Sequence, residues 1–345
     1  MLPLYISAPG RVGIIGNPTD MYGGSVLSCS SQERALVTID DAATLTLVAG
    51  GQELHVHGRD DLTLKRDLFD IPKAVLGHLH IYDAPIRLSI SSEIPFQAGM
   101  SGSAALVVSI LLALWTYRGE QHTTYHLAEV ARSIELNRMQ NVCGYQDFYM
   151  CAFGGINYMD FRDKQFYREV SLEHYGTVER LDAFVPGLPF VCAKKGVRAA
   201  SGVVHKPIRE RWLEGDKDVV DAYLRIGALA REGKKALLLA DWPRLGQLMN
   251  ENHRIQRQLG GSGPDNEMMI EAALEGGALG AKLAGAGNGG TTIALHLEPE
   301  RLAQHLTAAG AERIIRPQPT PGARVEPSEL GNERMQNRIA SSAGM

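Results

Sequence analysis

The sequence predicts an α+β fold, because segments with strand character and segments with helical periodicity occur in both halves of the chain. Its 345 residues are enough for two domains with a substantial hydrophobic core. The 37 glycines are concentrated in a few clusters between these segments. Glycine loses more backbone freedom on folding than any other residue, so packing alone does not explain such clusters. We therefore expect the chemistry of the chain to lie in them.

Strands in the first half are predicted where β-branched and apolar residues fill or alternate along a short run. They lie at residues 5–7, 35–39, 44–48, 86–91 and 156–161. Ala-Pro-Gly at residues 8–10 predicts a turn that ends the first strand. Residues 103–118 are apolar on nearly every face, which predicts a buried central helix, and a second helix is expected at residues 125–136.

The second half is predicted to open with a strand at residues 186–193 and to continue with long amphipathic helices. Helices are expected at residues 216–240, 242–259, 265–275 and 302–309, and paired strands at residues 278–284 and 291–297. Asp241 is a plausible N-cap before Pro243. The last residues, 318–345, are rich in Pro, Gly, Ser and charge, and we expect a disordered tail there.

Composition and charge exclude several classes of protein. The net charge of −4, with both signs interspersed, gives no electrostatic footprint for nucleic acid. None of the four cysteines is in a CxxC pair, which argues against a disulfide framework or a zinc site and for a reducing compartment. No signal peptide is visible, and the most apolar segment, residues 104–115, is too short to span a bilayer. We expect a cytoplasmic monomer or homodimer that binds small molecules.

The segment IPFQAGMSGSAAL, residues 94–106, places a glycine loop directly before the predicted central helix. Free backbone N–H groups converge at a helix N-terminus and the helix dipole favours negative charge there, so the segment predicts an anion site. The Walker sequence is absent, because no GK[ST] ends the loop. Ser103 is placed to reach a magnesium ion on bound phosphates, although a plain N-cap is an equal interpretation.

Two further clusters carry charged residues. In APGRVGIIGNPTDMYGG, Arg11 can only donate hydrogen bonds and Asp20 can accept two, which indicates a polar ligand site or a surface turn. In CGYQDFYMCAFGG, Asp147 is placed to take a proton or orient a hydroxyl, or else to cap a turn. Glu135 is either a magnesium ligand or a solvated helix residue. The cluster LAGAGNGG, residues 283–290, is a weak signal by itself.

The order of these clusters, APGRV with GNPTDMYGG, then GMSGSA, then GYQD, then GAGNGG, resembles the GHMP kinases over about residues 4–316. Within that family the segments GMSGSAAL and GYQDFYMCAFGGINYMDF are most similar to the glucuronokinases. The resemblance implies an ATP-binding N-terminal domain like ribosomal protein S5 domain 2 at residues 1–185 and a ferredoxin-like C-terminal domain at residues 186–317. It implies that ATP and substrate bind in the cleft between them.

The same resemblance implies ATP and Mg²⁺ as cofactors and assigns residues to them. The residues that would wrap the ATP phosphates are Gly99, Met100, Ser101, Gly102, Ser103 and Ala104. Ser103 and Glu135 match the magnesium ligands of the family. Asp147 matches the carboxylate that orients or deprotonates the attacking hydroxyl, and Arg11 matches an arginine that stabilises charge between substrate and γ-phosphate. These residues supply the positioning and charge stabilisation that phosphoryl transfer requires.

For the acceptor, the resemblance implies a sugar. Asp20 and Tyr22 match sugar-contacting positions, and Gly287 lies in the third motif, which closes the floor of the cleft. Galactokinases carry GEHTD where this chain has GNPTD, so we do not expect galactose. The reaction implied is phosphorylation of the anomeric hydroxyl of a sugar acid, with D-glucuronate giving glucuronate 1-phosphate.

A uronic acid carries a carboxylate that needs a basic partner. We choose Arg198, ahead of Lys195, because a guanidinium pairs bidentately with a carboxylate, although a solvated surface charge is the competing interpretation. A heptose 7-phosphate kinase, another GHMP sugar kinase and a sensor that has lost catalysis on the same fold are the alternatives for the function.

Overall fold

The chain folds around two β-sheets. The computed structural model describes residues 2–95, 97–185, 187–196, 201–285, 287 and 290–328, with the backbone alone described at residues 201–206. The first sheet contains β1 (Leu4–Ile15), β2 (Ser25–Asp41), β3 (Thr46–Ala49), β4 (Gln52–His55), β5 (Ile86–Ser92), β6 (Ile156–Asp160), β7 (Thr177–Arg180) and β12 (Arg324–Glu326). Their order is β12-β1-β2-β5-β3-β4, and β6 and β7 continue the sheet from the other half of β2.

Strand β1 is longer than predicted and runs through the Ala-Pro-Gly sequence. The predicted turn at residues 8–10 is therefore wrong. A register shift against β2 between Pro9 and Arg11 accommodates the proline, which has no N–H to donate to a ladder. A Cβ atom on Gly10 would lie 2.8 Å from the carbonyl oxygen of Met100, so the glycine permits close approach of the loop at residues 97–101.

The helices of the first half are α1 (Asp70–His78), α2 (Gly102–Tyr117), α3 (Thr124–Ser133) and α4 (Gln146–Phe153), of which α2 and α4 pack directly on the first sheet. Helix α2 packs against β1 and β2 and against the other three helices. Its apolar residues face neighbours in every direction, as expected for a central helix. A π-helical turn, Ile134–Arg138, extends α3 and carries Glu135.

The second sheet has strands β8 (Phe190–Lys195), β9 (Gly280–Leu283), β10 (Gly290–Leu295) and β11 (Arg313–Ile315). All pairs are antiparallel, and the order β11-β8-β10-β9 is that of a ferredoxin-like sheet. The helices of this half are α5 (Ser201–Leu213), α6 (Lys217–Leu238), α7 (Trp242–Gln258), α8 (Pro264–Glu275) and α9 (Pro299–Ala308). Asp241 caps α7 by accepting a hydrogen bond from the backbone N–H of Arg244, as predicted.

The prediction of a disordered tail from residue 318 is wrong for residues 318–328. Strand β12 pairs with the edge of β1, and Arg34 donates 2.7 Å hydrogen bonds to the carbonyl oxygens of both Pro321 and Gly322. Glu326 is buried and accepts a hydrogen bond from the Ser7 hydroxyl. The open edge of a strand offers unpaired backbone groups, and a segment with few apolar residues can become ordered by pairing with them. Residues 329–345 lie outside the described part.

In the part of the chain that the structure describes, no helix combines the length and the apolarity needed to cross a membrane.

Candidate active site

A cavity of about 600 Å³ opens where the N-terminus of α2 meets β1, the start of α4 and the end of β9. The predicted site residues that line it are Arg11, Asp20, Gly99, Met100, Ser101, Gly102, Ser103, Ala104, Glu135 and Asp147. Tyr22 and Gly287 are not among its lining residues, and Arg198 lies outside the described residues. The fold thus brings together residues from three separate sequence clusters.

The guanidinium group of Arg11 joins these clusters. Its Nε and Nη2 atoms donate hydrogen bonds of 2.9 and 2.7 Å to Oδ1 of Asp147, in the first turn of α4. Its Nη1 atom donates to the carbonyl oxygens of Gly99 (2.7 Å) and Ala284 (3.0 Å). Arg11 is only 3% exposed, so these contacts hold it in one orientation. Oδ2 of Asp147, which accepts no bond from the described residues, remains able to accept a proton or orient a hydroxyl.

The loop before α2 has a backbone shaped for close approach. Gln97, Gly99 and Ser101 have φ angles of 48°, 73° and 64°, and Ser101 occupies the N-cap position of α2. A Cβ atom on Gly285 would lie 2.5 Å from the carbonyl oxygen of Gly99, so the third cluster supports this loop through direct backbone contact. The Ser101 hydroxyl is buried without a hydrogen-bond partner among the described residues, which suits an oxygen-rich ligand.

Ser103 and Glu135 lie together on the cavity wall. The Ser103 hydroxyl donates a 2.9 Å hydrogen bond to Oε2 of Glu135, whose side chain is largely buried. Helix α2 begins at Gly102, so Ser103 lies inside its first turn, and the N-cap is Ser101. A hydroxyl and a carboxylate oxygen are hard ligands of the kind Mg²⁺ takes, usually with phosphate oxygens completing its shell. The pair fits a magnesium ion bound jointly with phosphates.

Asp20 is buried and its oxygens are already engaged. Oδ2 accepts hydrogen bonds from the backbone N–H groups of Tyr145 (2.7 Å) and Gln146 (2.9 Å), and Oδ1 accepts one from the Gln146 side chain (3.1 Å). Burial raises the pKa of Asp20 to about 6, although the Gln146 N–H acts in the opposite direction. A Cβ on Gly144 would lie 1.9 Å from Oδ2. In this arrangement Asp20 orients the start of α4, on which Asp147 lies.

Two residues predicted to contact the sugar, Tyr22 and Gly287, lie outside the lining of this cavity. The Tyr22 ring stacks on Tyr223, with centroids 4.2 Å apart, and packs against Trp212, and burial raises the pKa of Tyr22 to about 12. Gly287 has a φ of 95°, and a Cβ atom there would overlap the carbonyl oxygen of Gly261. Its conformation supports the backbone of the third cluster.

The structure adds two residues that the sequence analysis missed. Lys282, in β9, is fully buried, and its Nζ atom donates a 2.8 Å hydrogen bond to Oδ1 of Asn17. Asn17 in turn donates to the carbonyl oxygen of Gly285 (3.1 Å). Burial, together with a smaller contribution from the positive charge of the nearby Arg11, lowers the pKa of Lys282 to about 7. The available signal was a lysine inside the apolar run before GAGNGG, where a strand would bury it.

Family models match both halves of the chain. The model described as the GHMP kinases N terminal domain matches residues 70–155, and the one described as the GHMP kinases C terminal matches residues 234–312. A third model, described as the galactokinase galactose-binding signature, matches residues 2–40, where β1, Arg11 and Asp20 lie.

Individual proteins resemble the chain over most of its length. Glucuronokinase 1 of Arabidopsis thaliana is 29% identical over 307 residues, covering 80% of this chain and 81% of that protein. Mevalonate kinase of Thermococcus sibiricus is 26% identical, covering 93% of this chain and 97% of that protein. A crystal structure of a D-glycero-D-manno-heptose 1-phosphate kinase from Bacteriodes thetaiotaomicron superposes with a TM-score of 0.70 at 21% identity, covering 94% and 99% of the two chains, which supports the fold.

Proposed function

This chain belongs to the GHMP kinases and is an ATP-dependent phosphotransferase that acts on an alcohol, and we propose that its acceptor is the anomeric hydroxyl of a sugar acid, with D-glucuronate as the favoured substrate. The observation that carries the proposal of catalysis is the Arg11–Asp147 pair, which lies beside the N-terminus of α2 in one cavity. The similarity to Glucuronokinase 1 supports the choice of a uronic acid.

The N-terminus of α2 is the proposed site of the ATP phosphates. Its unpaired N–H groups and the positive end of the helix dipole favour phosphate oxygens, and the loop around Gly99 allows the backbone to reach them. Ser103 and Glu135 would hold Mg²⁺, which when bound neutralises charge on the β- and γ-phosphates. Ser101 adds a hydroxyl without a hydrogen-bond partner among the described residues.

Asp147 and Arg11 act on the transfer of the phosphoryl group to the sugar hydroxyl. The sugar hydroxyl oxygen forms a bond to the γ-phosphorus while the bond from that phosphorus to the bridging oxygen of ADP breaks. The hydroxyl proton passes to Oδ2 of Asp147, because Arg11 occupies only Oδ1. Arg11, fixed by four hydrogen bonds, places its positive charge beside the phosphoryl group in transfer.

The cellular setting and the partners belong to the same proposal. The cysteines of the described residues, Cys29, Cys143, Cys151 and Cys192, are all free, as expected of a protein in a reducing compartment. We place the enzyme in the cytoplasm, where ATP and free sugars are its partners.

A kinase for a phosphorylated heptose is the second candidate. Arg209 is buried beside the cavity, and its guanidinium group can bind a phosphate as well as a carboxylate. Galactose is a weaker candidate. The galactose-binding signature covers residues 2–40, but Asn17 and Pro18 stand where galactokinases carry Glu and His.

The direct experiment measures ADP release by the purified enzyme with Mg²⁺, ATP and one acceptor at a time. The acceptors are D-glucuronate, D-galacturonate, glucose, galactose, mevalonate and heptose 7-phosphate. The proposal predicts the highest kcat/KM for a uronic acid. Turnover confined to phosphorylated sugars would support the heptose alternative, and turnover confined to neutral sugars or to mevalonate would contradict both.

A further inference from the structure

A second hollow, of about 460 Å³, adjoins the active-site cavity at Met21, which lines both. Of the two neighbours of Met21 in the chain, Asp20 lines the active-site cavity and Tyr22 lines the second hollow. Arg209, on α5, forms part of the wall of the hollow, together with Trp212. None of the predicted roles accounts for this cation.

Arg209 is a buried charge without an ion-pair partner among the residues that the structure describes. Only 6% of the residue is exposed, and it forms no ion pair or hydrogen bond with any described residue; its Nε atom is fully buried. The other two cations of the hollow are already paired, Arg162 with Asp160 at 2.8 Å and Lys164 with Glu129 at 2.7 Å. Burial of an unpaired charge is strongly unfavourable, so an anionic ligand bound in the hollow would stabilise Arg209.

Stacking accounts for only one side of the guanidinium group. Its Cζ atom lies 3.5 Å from the centroid of the Phe166 ring and 5.4 Å from that of Tyr167. Such contacts stabilise the flat face of the cation, but aromatic rings supply no oxygen for its five N–H donors. A guanidinium whose face is stacked and whose edge is unpaired is arranged to bind a carboxylate through two parallel hydrogen bonds.

We propose that Arg209 binds the acidic group of the sugar substrate and so selects acidic sugars over neutral ones. This inference rests on the proposed function, in which the anomeric hydroxyl lies at Asp147. A hexuronic acid carries its carboxylate on C5, and only the ring oxygen separates C5 from the anomeric carbon. A ring in the cavity next to Met21 can therefore direct its carboxylate toward the hollow. Arg209 takes the role that the sequence analysis gave to Arg198.

The test combines a change in the protein with a change in the substrate. Arg209→Met keeps a long side chain on the Phe166 ring but removes the charge, and D-glucuronamide keeps the sugar but removes the carboxylate. We expect the variant to lose roughly 10- to 100-fold in kcat/KM for D-glucuronate, the range of a hydrogen-bonded charge pair. For D-glucuronamide, and for the KM of ATP, the change should stay within about threefold, since no charge pair is lost.

Arg132→Met is the matched control. Arg132 is 5% exposed and stacks on the same Phe166 ring at 4.5 Å, but it is not among the residues that line the hollow. Any loss in that variant should be equal for the acid and the amide. If Arg209→Met is poorly folded, Arg209→Lys serves instead, because it keeps the positive charge but lacks the two parallel N–H donors of a guanidinium group. It should show a smaller loss of kcat/KM that is again confined to the acid.

Two results with these variants would overturn the inference. Equal losses of Arg209→Met on the acid and the amide would make Arg209 a structural residue. A carboxylate-selective loss in Arg132→Met as large as that in Arg209→Met would assign the effect to the Phe166 contact. Failure of the proposed function is recognisable separately, as a wild-type enzyme inactive on uronic acids. If that enzyme accepts sugar phosphates, the same comparison with the dephosphorylated sugar decides the role of Arg209, and if it accepts only neutral acceptors, the inference is wrong.

Discussion

Replacement of Asp147 by asparagine separates the chemistry of the site from its architecture. The asparagine carbonyl oxygen can still accept the bonds that Arg11 donates to Oδ1, and Arg11 keeps its bonds to Gly99 and Ala284. In asparagine, however, an NH2 group replaces Oδ2, and this group cannot accept the proton of the sugar hydroxyl. We therefore expect Asp147→Asn to lower kcat roughly 10²- to 10⁴-fold, which is the range for loss of a general base.

The cost to stability should be much smaller than the cost to catalysis. Two charge-assisted hydrogen bonds become bonds to a neutral acceptor, and a buried guanidinium loses its counter-charge, which together should lower the free energy of unfolding by about 1–3 kcal/mol. Urea denaturation measures this change in the free energy of unfolding. Titration calorimetry measures the Kd of ATP, which should remain within about threefold of the wild-type value because Asp147 is not part of the proposed phosphate loop.

The decisive assay is steady-state ADP release at saturating ATP and sugar. Asp221→Asn is the control, because Asp221 lies on the surface of α6 and pairs only with Lys217 among the described residues. A folded Asp147→Asn enzyme that retains a third or more of the wild-type kcat would refute the role of Asp147 as proton acceptor.

Three further changes test other parts of the structure. Glu135→Gln should raise the Mg²⁺ concentration for half-maximal activity at least about tenfold, as loss of a metal-binding carboxylate does, and a magnesium titration measures it. Asp20→Asn should remove a pH-dependent contribution to stability. In the wild type, the folded-state pKa of Asp20 is raised to about 6, so its contribution is complete below about pH 4 and is lost as the pH rises through 6, by up to about 3 kcal/mol. Deletion of residues 318–345 removes β12 and the acceptors of Arg34 and should lower the free energy of unfolding by about 2–4 kcal/mol in urea denaturation.

Each of these expectations has an outcome that would contradict it. An unchanged magnesium requirement would exclude Glu135 as a ligand. Parallel stability–pH curves for Asp20→Asn and the wild type would show that Asp20 titrates as an ordinary carboxyl group. A truncated chain as stable as the full one would show that β12 adds nothing to the sheet.

The sequence predicted which residues form the site more accurately than it predicted the contacts between those residues. Arg11 and Asp147 are recognisable because each lies in a glycine-rich segment whose order resembles a known family. The bond between them joins residues 136 positions apart and depends on how α4 packs against β1, which no local pattern encodes. For the same reason, the sequence could not predict that Oδ2 of Asp20 accepts hydrogen bonds from the backbone N–H groups of Tyr145 and Gln146, or that Oδ1 accepts one from the Gln146 side chain.

The errors in the fold have a common cause. Ala-Pro-Gly at residues 8–10 is a turn by composition, yet neighbouring strands and the loop at Met100 hold it extended. Residues 324–326 lie in a segment rich in proline, glycine and charge, and they form a strand by pairing with β1. Arg209 could not be singled out either, because its stacking on Phe166 and its place in the hollow beside Met21 depend on the folded chain. Local propensity cannot report a partner that is distant in sequence.

The central claim is that this enzyme transfers the γ-phosphoryl group of ATP to the anomeric oxygen of a sugar acid. Phosphorus NMR of a reaction with Mg²⁺, ATP and D-glucuronate tests it most directly. We expect a new phosphate monoester signal that is coupled to the anomeric proton and that grows as ADP forms. A product phosphorylated at another oxygen, or ADP formed with inorganic phosphate alone, would contradict it.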